Sequence, residues 1–148
     1  LLFKSVVYTT SLIVPKMLKN KWGRIINVTS VSVKEPLNYL VLSNSIRSAV
    51  VAWAKSLSVD VGKDGVTVNS ILTGYFDTER IKDLNKEKSK SLNISEDEVL
   101  EKMKSLVPIN RLGKTEEYGY LVSFLSSDKA AYINGASIPI DGGLLKSY

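Results

Sequence analysis

Cysteine and histidine are both absent from the 148 residues. Without cysteine the chain has no disulfide and no thiolate. Without histidine it lacks the commonest metal ligand and the commonest general base. Zinc hydrolases, Ser-His-Asp triads and Cys-His proteases are thereby excluded, and no metal site is expected. Long apolar runs are missing too. None approaches the ~18 residues of a membrane-spanning helix, and no cationic, apolar, small-residue leader opens the sequence. The expectation is a cytoplasmic protein with no membrane partner. Internal repeats and low-complexity stretches are also lacking. What remains is 44% hydrophobic and 24% charged, the balance of an ordinary globular domain rather than of a disordered, collagenous or coiled-coil chain. A single domain of this length buries roughly 70% of its unfolded surface.

Acid is missing from one region. Residues 1 to 34 hold Lys4, Lys16, Lys19, Lys21, Arg24 and Lys34, and Glu35 is the first carboxylate. The rest of the chain is nearly balanced, so the net charge of +5 belongs to the first quarter. Lys16, Lys19 and Lys21 suit the negative end of a helix macrodipole. The alternative is a docking patch for an acidic partner. Nucleic acid is not expected, because the patch has no recognisable motif and offers only Trp22 as a stacking platform.

Periodicity organises the chain. Phe3, Val6, Val7, Thr10, Ile13, Val14 and Met17 recur at spacings of three and four, which predicts a helix over 3–20 with one buried face. It has no start signal, so it is read as continuing from an upstream segment. Residues 24–29 are β-branched and predict a strand. Leu42, Ile46, Ala49, Val50, Trp53 and Leu57 mark a second helix over 40–61, with Gly62 and Gly65 at its end. Residues 66–72 predict a strand. Residues 79–107 are lysine-rich and helical, with Ser95 and Glu98 spaced as a capping box. Thr115 is placed to cap a further helix burying Tyr118, Leu121, Val122 and Leu125, and a last strand is expected over 133–140. This alternation predicts an α/β layered fold with a parallel sheet and helical crossovers. Three strands make a thin platform, so the pattern reads as half of a larger fold.

Four segments carry a resemblance. Gly23-Arg-Ile-Ile-Asn-Val-Thr-Ser30 is similar to the fifth strand and catalytic-serine segment of short-chain dehydrogenases/reductases. GVTVNSILTGYFDT over 65–78 resembles that family's sixth strand and the turn that touches nicotinamide. PINRLG (108–113) and YINGASIPIDGG (132–143) resemble its C-terminal signature. Within the family the chain is most similar to divergent members related to 3-oxoacyl-[acyl-carrier-protein] reductase. The resemblance implies a Rossmann-type doubly wound sheet binding NAD or NADP across the carboxyl ends of its strands. This chain would supply strands five to seven as a single partial domain over 1–148. Residues 79–107 would be a substrate lid, holding Leu84, Leu92, Ile94 and Met103. The Gly-rich turn that cradles pyrophosphate has no counterpart here.

The family's Asn-Ser-Tyr-Lys tetrad maps unevenly. Ser30 matches the serine. Thirteen residues on, the tyrosine position holds Ser43, and the lysine position holds Arg47; the asparagine position falls near Leu2. A serine hydroxyl is a far weaker acid than a phenol, which ionises near pH ~10. Arg47 keeps the positive charge but stays protonated. Tyr39, four residues before Ser43, is a candidate displaced donor on the same helical face. The candidate catalytic residues are therefore Ser30, Ser43, Arg47 and Tyr39. Positions implied to touch the cofactor are Val28, Arg47, Gly74, Phe76 and Thr78.

Two functions are compatible with these residues. One is an NAD(P)-dependent oxidoreductase acting on a small carbonyl or acyl substrate or on the corresponding alcohol. The other is a catalytically impaired homologue that binds a ligand or serves as a structural subunit. In either case the resemblance implies a homo-oligomer interface formed by helices 3–20 and 40–61.

Overall fold

Residues 66–72 are all buried, and they form the middle of the molecule. The structure, a computed structural model, describes residues 2–38 and 40–147. Its elements in chain order are α1 (Leu2–Asn20), β1 (Gly23–Val28), α2 (Val41–Gly62), β2 (Val66–Thr73), α3 (Glu79–Leu92), α4 (Glu96–Ser105), α5 (Thr115–Ser126) and β3 (Ser137–Ile140). Short 3-10 turns lie at Val31–Val33 and Asp128–Ala130. The strands form one parallel sheet in the order β1-β2-β3, with Gly23 opposite Val66 and Ser70 opposite Ser137.

Alternation along the strands divides the core into two layers. On one face, Ile25, Val66 and Val68 pack against Val14, Met17 and Leu18 of α1 and Trp53, Ala54, Leu57 and Val61 of α2. On the other, Ile26, Ile71 and Ile138 pack against Tyr118, Leu121, Val122 and Leu125 of α5. The chain passes from α2 into β2 through Gly65, whose positive φ of 76° brings it so close to the Lys21 carbonyl that a Cβ there would overlap it. That contact and the pairing of Gly23 N–H with the Gly65 carbonyl align the starts of β1 and β2.

Several expectations change. Strand β3 covers only 137–140, not 133–140. Residues 133–136 still serve the sheet: Gly135 N–H donates to the Val68 carbonyl at 2.9 Å and Ser70 N–H to the Ala136 carbonyl at 2.8 Å, and side chains supply the remaining bonds. Asn134 Oδ1 accepts from Val68 N–H at 2.9 Å, Asn69 Nδ2 donates to the Ile133 carbonyl at 2.8 Å, and Ala136 N–H donates to Asn69 Oδ1 at 3.0 Å. The supposed buried face of α1 is only partly covered. Among its described residues Thr10 alone is buried, whereas Phe3 and Ile13 are 37% and 45% exposed. On α2, Leu42 is 77% exposed and Ala49 is also exposed, so the buried stripe runs through Val50, Ala54, Ser58 and Val61 instead. Thr115 does not cap α5: it is the first helical residue, and the Glu117 carboxylate reaches back to the Lys114 N–H at 2.7 Å. The region 79–107 is two helices, broken where Asn93 adopts a left-handed conformation. The capping box forms as expected, with Glu98 accepting from Ser95 N–H and Ser95 Oγ accepting from Glu98 N–H.

Candidate active site

The carboxyl ends of β1 and β2 and the first turns of α2 converge. At the end of β1, Val28 is 62% exposed. Thr29 then turns inward, donating both its N–H and its hydroxyl to the Ile71 carbonyl at 2.9 Å. Ser30 follows in extended backbone and caps the 3-10 turn, its Oγ accepting from Ser32 N–H at 3.1 Å. The Ser30 hydroxyl proton remains available to a ligand. Beyond this turn the chain is held at two points before α2. Glu35 Oε1 accepts the N–H groups of Lys146 and Ser147, each at 2.8 Å. Asn44 Nδ2 donates to the Leu37 carbonyl at 2.9 Å. The two amides, Ser147 first, hold the Glu35 carboxyl below its usual range.

Ser43 and Arg47 lie one helical turn apart on α2, and the structure brings them together. Arg47 Nε donates to Ser43 Oγ at 3.3 Å. Arginine thereby occupies an acceptor site of the serine and leaves its O–H free to donate. Tyr39 lies outside the described residues.

The second half of the site is the turn after β2. Gly74 N–H donates to the Ile140 carbonyl at 3.1 Å. A Cβ on Gly74 would sit 2.6 Å from Asp141 Cα, so only glycine fits this approach. Residues 75–77 then pair with Gly113: Gly113 N–H donates to the Tyr75 carbonyl and Asp77 N–H to the Gly113 carbonyl, both at 2.9 Å. This pattern turns the N–H and C=O of Phe76 the other way, and neither has a protein partner among the described residues. The Phe76 ring is buried edge-on against Tyr118, with ring centroids 5.3 Å apart. Tyr118 Oη and Thr73 Oγ1 share a hydrogen bond of 3.1 Å. Burial raises the Tyr118 pKa, opposed by that bond and by the charge of Arg47. Thr78 caps α3, accepting from Ile81 N–H at 3.4 Å.

The loop 108–113 steadies this turn. Arg111 makes a two-pronged ion pair with Glu117, at 2.8 and 2.7 Å. That pair and the Lys114 N–H lower the Glu117 pKa to about 2. Between the turn and the helix pair lies a small cavity of about 70 Å³ lined by Tyr75, Leu92, Ile94, Met103, Lys88 and Lys102. Of the expected lid residues, Leu92, Ile94 and Met103 reach this cavity and Leu84 does not.

A family model described as Enoyl-(Acyl carrier protein) reductase matches residues 2–145. The NADPH-dependent reductase BacG of Bacillus subtilis is 33% identical over 131 residues, covering 88% of this chain and 51% of that protein. The 3-oxoacyl-[acyl-carrier-protein] reductase FabG of Buchnera aphidicola is also 33% identical, over 95% of this chain and 53% of that one. The crystal structure of L-sorbose reductase from Gluconobacter frateurii, complexed with NADPH and L-sorbose, superposes with a TM-score of 0.93 at 30% identity. It covers 100% of this chain and 57% of that one. The chain belongs to the short-chain dehydrogenase/reductase family. It spans about half the length of the curated relatives it matches.

Within this family the fold is the Rossmann-type α/β arrangement, here seen as three parallel strands with helices on both faces. The site contains residues that motif reading passed over. Tyr118 was visible only as a core position of α5, because sequence spacing does not reveal that its hydroxyl meets Thr73. Glu35 and Glu117 were not singled out as anchors, since their partners are backbone amides or lie on another loop. Asn27 gave a signal that could have been used: a polar residue inside an otherwise β-branched strand. It is 7% exposed, and its Nδ2 has no hydrogen-bond partner among the described residues.

Proposed function

We propose that this chain forms the nicotinamide side of an NAD(P)-dependent oxidoreductase acting on a small carbonyl or acyl substrate, or on the corresponding alcohol. The observation that carries the reading is the Phe76 peptide, whose N–H and C=O, beside Gly74, have no partner among the described residues. It offers one donor and one acceptor, which is what a carboxamide requires. Exposed Val28 provides apolar surface beside the end of β1, and Arg47 provides a cationic donor for a ribose. These residues fit the nicotinamide end of the cofactor; the chain has no Gly-rich strand-to-helix turn for the pyrophosphate. The cofactor, when bound, supplies or accepts hydride.

This chain's own groups handle the rest. Ser30 donates its hydroxyl to the substrate oxygen and orients it. Ser43 also offers its proton, with Arg47 stabilising negative charge that develops on oxygen. Substrate lies toward the α3–α4 pair, where Leu92, Ile94 and Met103 line apolar space and Lys88 and Lys102 favour an anionic group. BacG is described as NADPH-dependent, and the sorbose reductase structure contains NADPH; NADPH is therefore the first cofactor to test. Self-association through α1 and α2 is part of the reading, since Tyr8, Leu12 and Ile13 of α1 are exposed. An acyl carrier is the acidic partner that the basic first quarter suits.

The test is NADPH-dependent reduction of 3-oxoacyl and small ketone substrates by the protein carrying this chain. Ser30→Ala is expected to lower kcat by ~10²- to 10³-fold. Ser43→Tyr with Arg47→Lys is expected to raise an activity already present, because a phenol is the better general acid. Activity seen only in that double variant would reject the reading for the natural chain. No NADPH binding would reject it at the first step.

A further inference from the structure

At the amino ends of the strands, the end opposite the candidate active site, lies a cavity of about 290 Å³ whose lining includes Arg24, Gly62, Gly65, Thr67, Tyr132 and Asn134. Arg24 and Thr67 face each other in the register of β1 and β2. Val66 and Val68 pack toward α1 and α2, so alternation turns Thr67 to the α5 face. Arg24 reaches Ser127 and Asp128, just beyond α5, on that same face. The two side chains therefore stand side by side. Thr67 is 6% exposed, and its hydroxyl has no hydrogen-bond partner among the described residues. That oxygen is not sealed off, because it keeps accessible surface. A hydroxyl buried to this degree has lost most of its water without gaining a bond, a cost that a ligand in the cavity removes.

Arg24 decides what that ligand carries. Its side chain is 6% exposed, yet its counter-charge is at the surface: Asp128, 85% exposed, lies 3.4 Å from Nη2 and also accepts from Trp22 Nε1 at 2.9 Å. Nε donates to the Ser127 carbonyl, and Nη1 donates to the carbonyls of Gly23 and Gly65. Four of the five guanidinium N–H groups are thus engaged, and the fifth, on Nη2, has no acceptor among the described residues. The carbonyls at the end of α2 are taken: Ser58 by Asn134 Nδ2, Val61 and Gly62 by the N–H groups of Asp64 and Gly65. The cavity therefore offers donors, and Arg24 is the only charged residue lining it. Water accepts from both groups but leaves the buried cation balanced only by an exposed, shared carboxylate. A ligand carboxylate accepts from both and brings the charge as well, through a charge-assisted bond to Arg24. A phosphate dianion brings more charge than one partly compensated cation offsets. Tyr132, wholly exposed at the rim, adds an aromatic face for a planar ligand body. The volume is close to the ~300 Å³ at which small-molecule sites begin.

We infer that Arg24, Thr67 and Tyr132 form a binding site for a small carboxylate with a planar, apolar body. The site lies at the far end of the sheet from Ser30, Ser43 and the Phe76 turn, and it does not depend on the hydride-transfer reading. A carboxylate seated there bridges β1, β2 and the loop that leads into β3. Its arrival is felt at Trp22, which shares Asp128 with Arg24 and lies under the guanidinium, 5.0 Å from Cζ to the ring centroid.

The test is an NMR titration of the protein carrying this chain with acetate, benzoate and inorganic phosphate, against chloride at matched ionic strength. The probes are the Arg24 Nε–H, the Thr67 amide and the Trp22 indole N–H, with the Trp53 indole of the α1–α2 layer as an internal control. Saturable shifts of the three probes are expected with both carboxylates, absent with chloride, and with benzoate the tighter ligand. Thr67→Val removes only the hydroxyl and is expected to weaken benzoate ~10-fold. Tyr132→Ala changes a wholly exposed ring and is expected to bring benzoate down to the affinity of acetate. Circular dichroism reports that both variants remain folded. Shifts matched by chloride would show screening alone and overturn the proposal. So would phosphate binding tighter than either carboxylate, benzoate affinity unchanged in both variants, or probes that no anion moves.

Discussion

The first turns of α2 and the turn after β2 hold the two halves of the site, and they are built differently. The α2 half is a helix start whose chemistry rests on flexible side chains, Ser43 and Arg47, joined by one bond of 3.3 Å. The β2 half is backbone. Gly74, Tyr75, Asp77 and Gly113 are fixed by peptide hydrogen bonds that hold Phe76 between them, and Gly74 is a glycine that no other residue can replace without moving Asp141. Backbone geometry tolerates little sequence change, whereas a side-chain pair can be exchanged without disturbing the fold. Ser43 and Arg47, which the resemblance sets at the family's tyrosine and lysine positions, fall in the exchangeable half, and the proposed nicotinamide turn falls in the rigid one.

Four experiments break or sharpen this contrast. The largest effect is expected from Ile71→Ala, which removes a fully buried side chain from the α5 layer beneath both halves. It should cost about 2–5 kcal/mol in denaturant unfolding and loosen the two halves together. Gly74→Ala should separate them. Its Cβ overlaps Asp141, so about 1–3 kcal/mol is expected, with faster amide exchange at 74–77 and unchanged exchange at the start of α2. Tyr118→Phe removes only the hydroxyl bonded to Thr73 and should cost about 0.5–1.5 kcal/mol, again on the β2 side. A larger loss in the α2 half than in the β2 half in either variant would reverse the contrast.

The smallest effect is in acid. Glu117 titrates at about 2 in the folded chain, against an ordinary 4.5. Its contribution is thus fully present above about 4.5 and is lost as pH falls through about 2. Glu35 is also lowered, so its hold on the 146–147 amides behaves with the same sign. Glu35→Gln should loosen residues 31–38 and leave 74–77 alone; Glu117→Gln should do the opposite. Hydrogen exchange across the acid range checks both, and loosening of the same segment by both variants would show that the halves are not independently anchored.

The sequence disclosed the parts of the fold that depend on local pattern. The β-branched runs gave β1 and β2, and the Ser95–Glu98 spacing gave the start of α4. It misplaced what depends on tertiary contact. Ile133 through Ala136 looked like strand, but only Gly135 and Ala136 bond β2 through their peptides, and Asn69 and Asn134 supply the other bonds with their side chains, which no periodicity predicts. Phe3, Ile13 and Leu42 satisfied a helical stripe whose covering layer is not supplied by this chain's own elements. Of the proposed site, Ser30, Ser43, Arg47, Gly74 and Phe76 are residues that counting from motifs singles out. Their anchors, Glu35, Tyr118 and Glu117, could not, because each acts on a peptide or hydroxyl distant in the chain or fixed by loop geometry.

The parallel register also governs how this chain reaches its fold. No strand can pair with its neighbour through a tight turn, since the shortest closure that joins β1 to β2 runs from Gly23 to Val66 and includes all of α2. The closure from Ser70 to Ser137 is longer still and encloses α3, α4 and α5. Loop entropy must be lost before either pairing contributes stability, so collapse is expected to begin where α2 folds back on β2, its immediate successor in the chain. β3 should join last. Stopped-flow refolding would then show the Trp53 environment forming before amides of 137–140 gain protection, with the late step setting the observed rate.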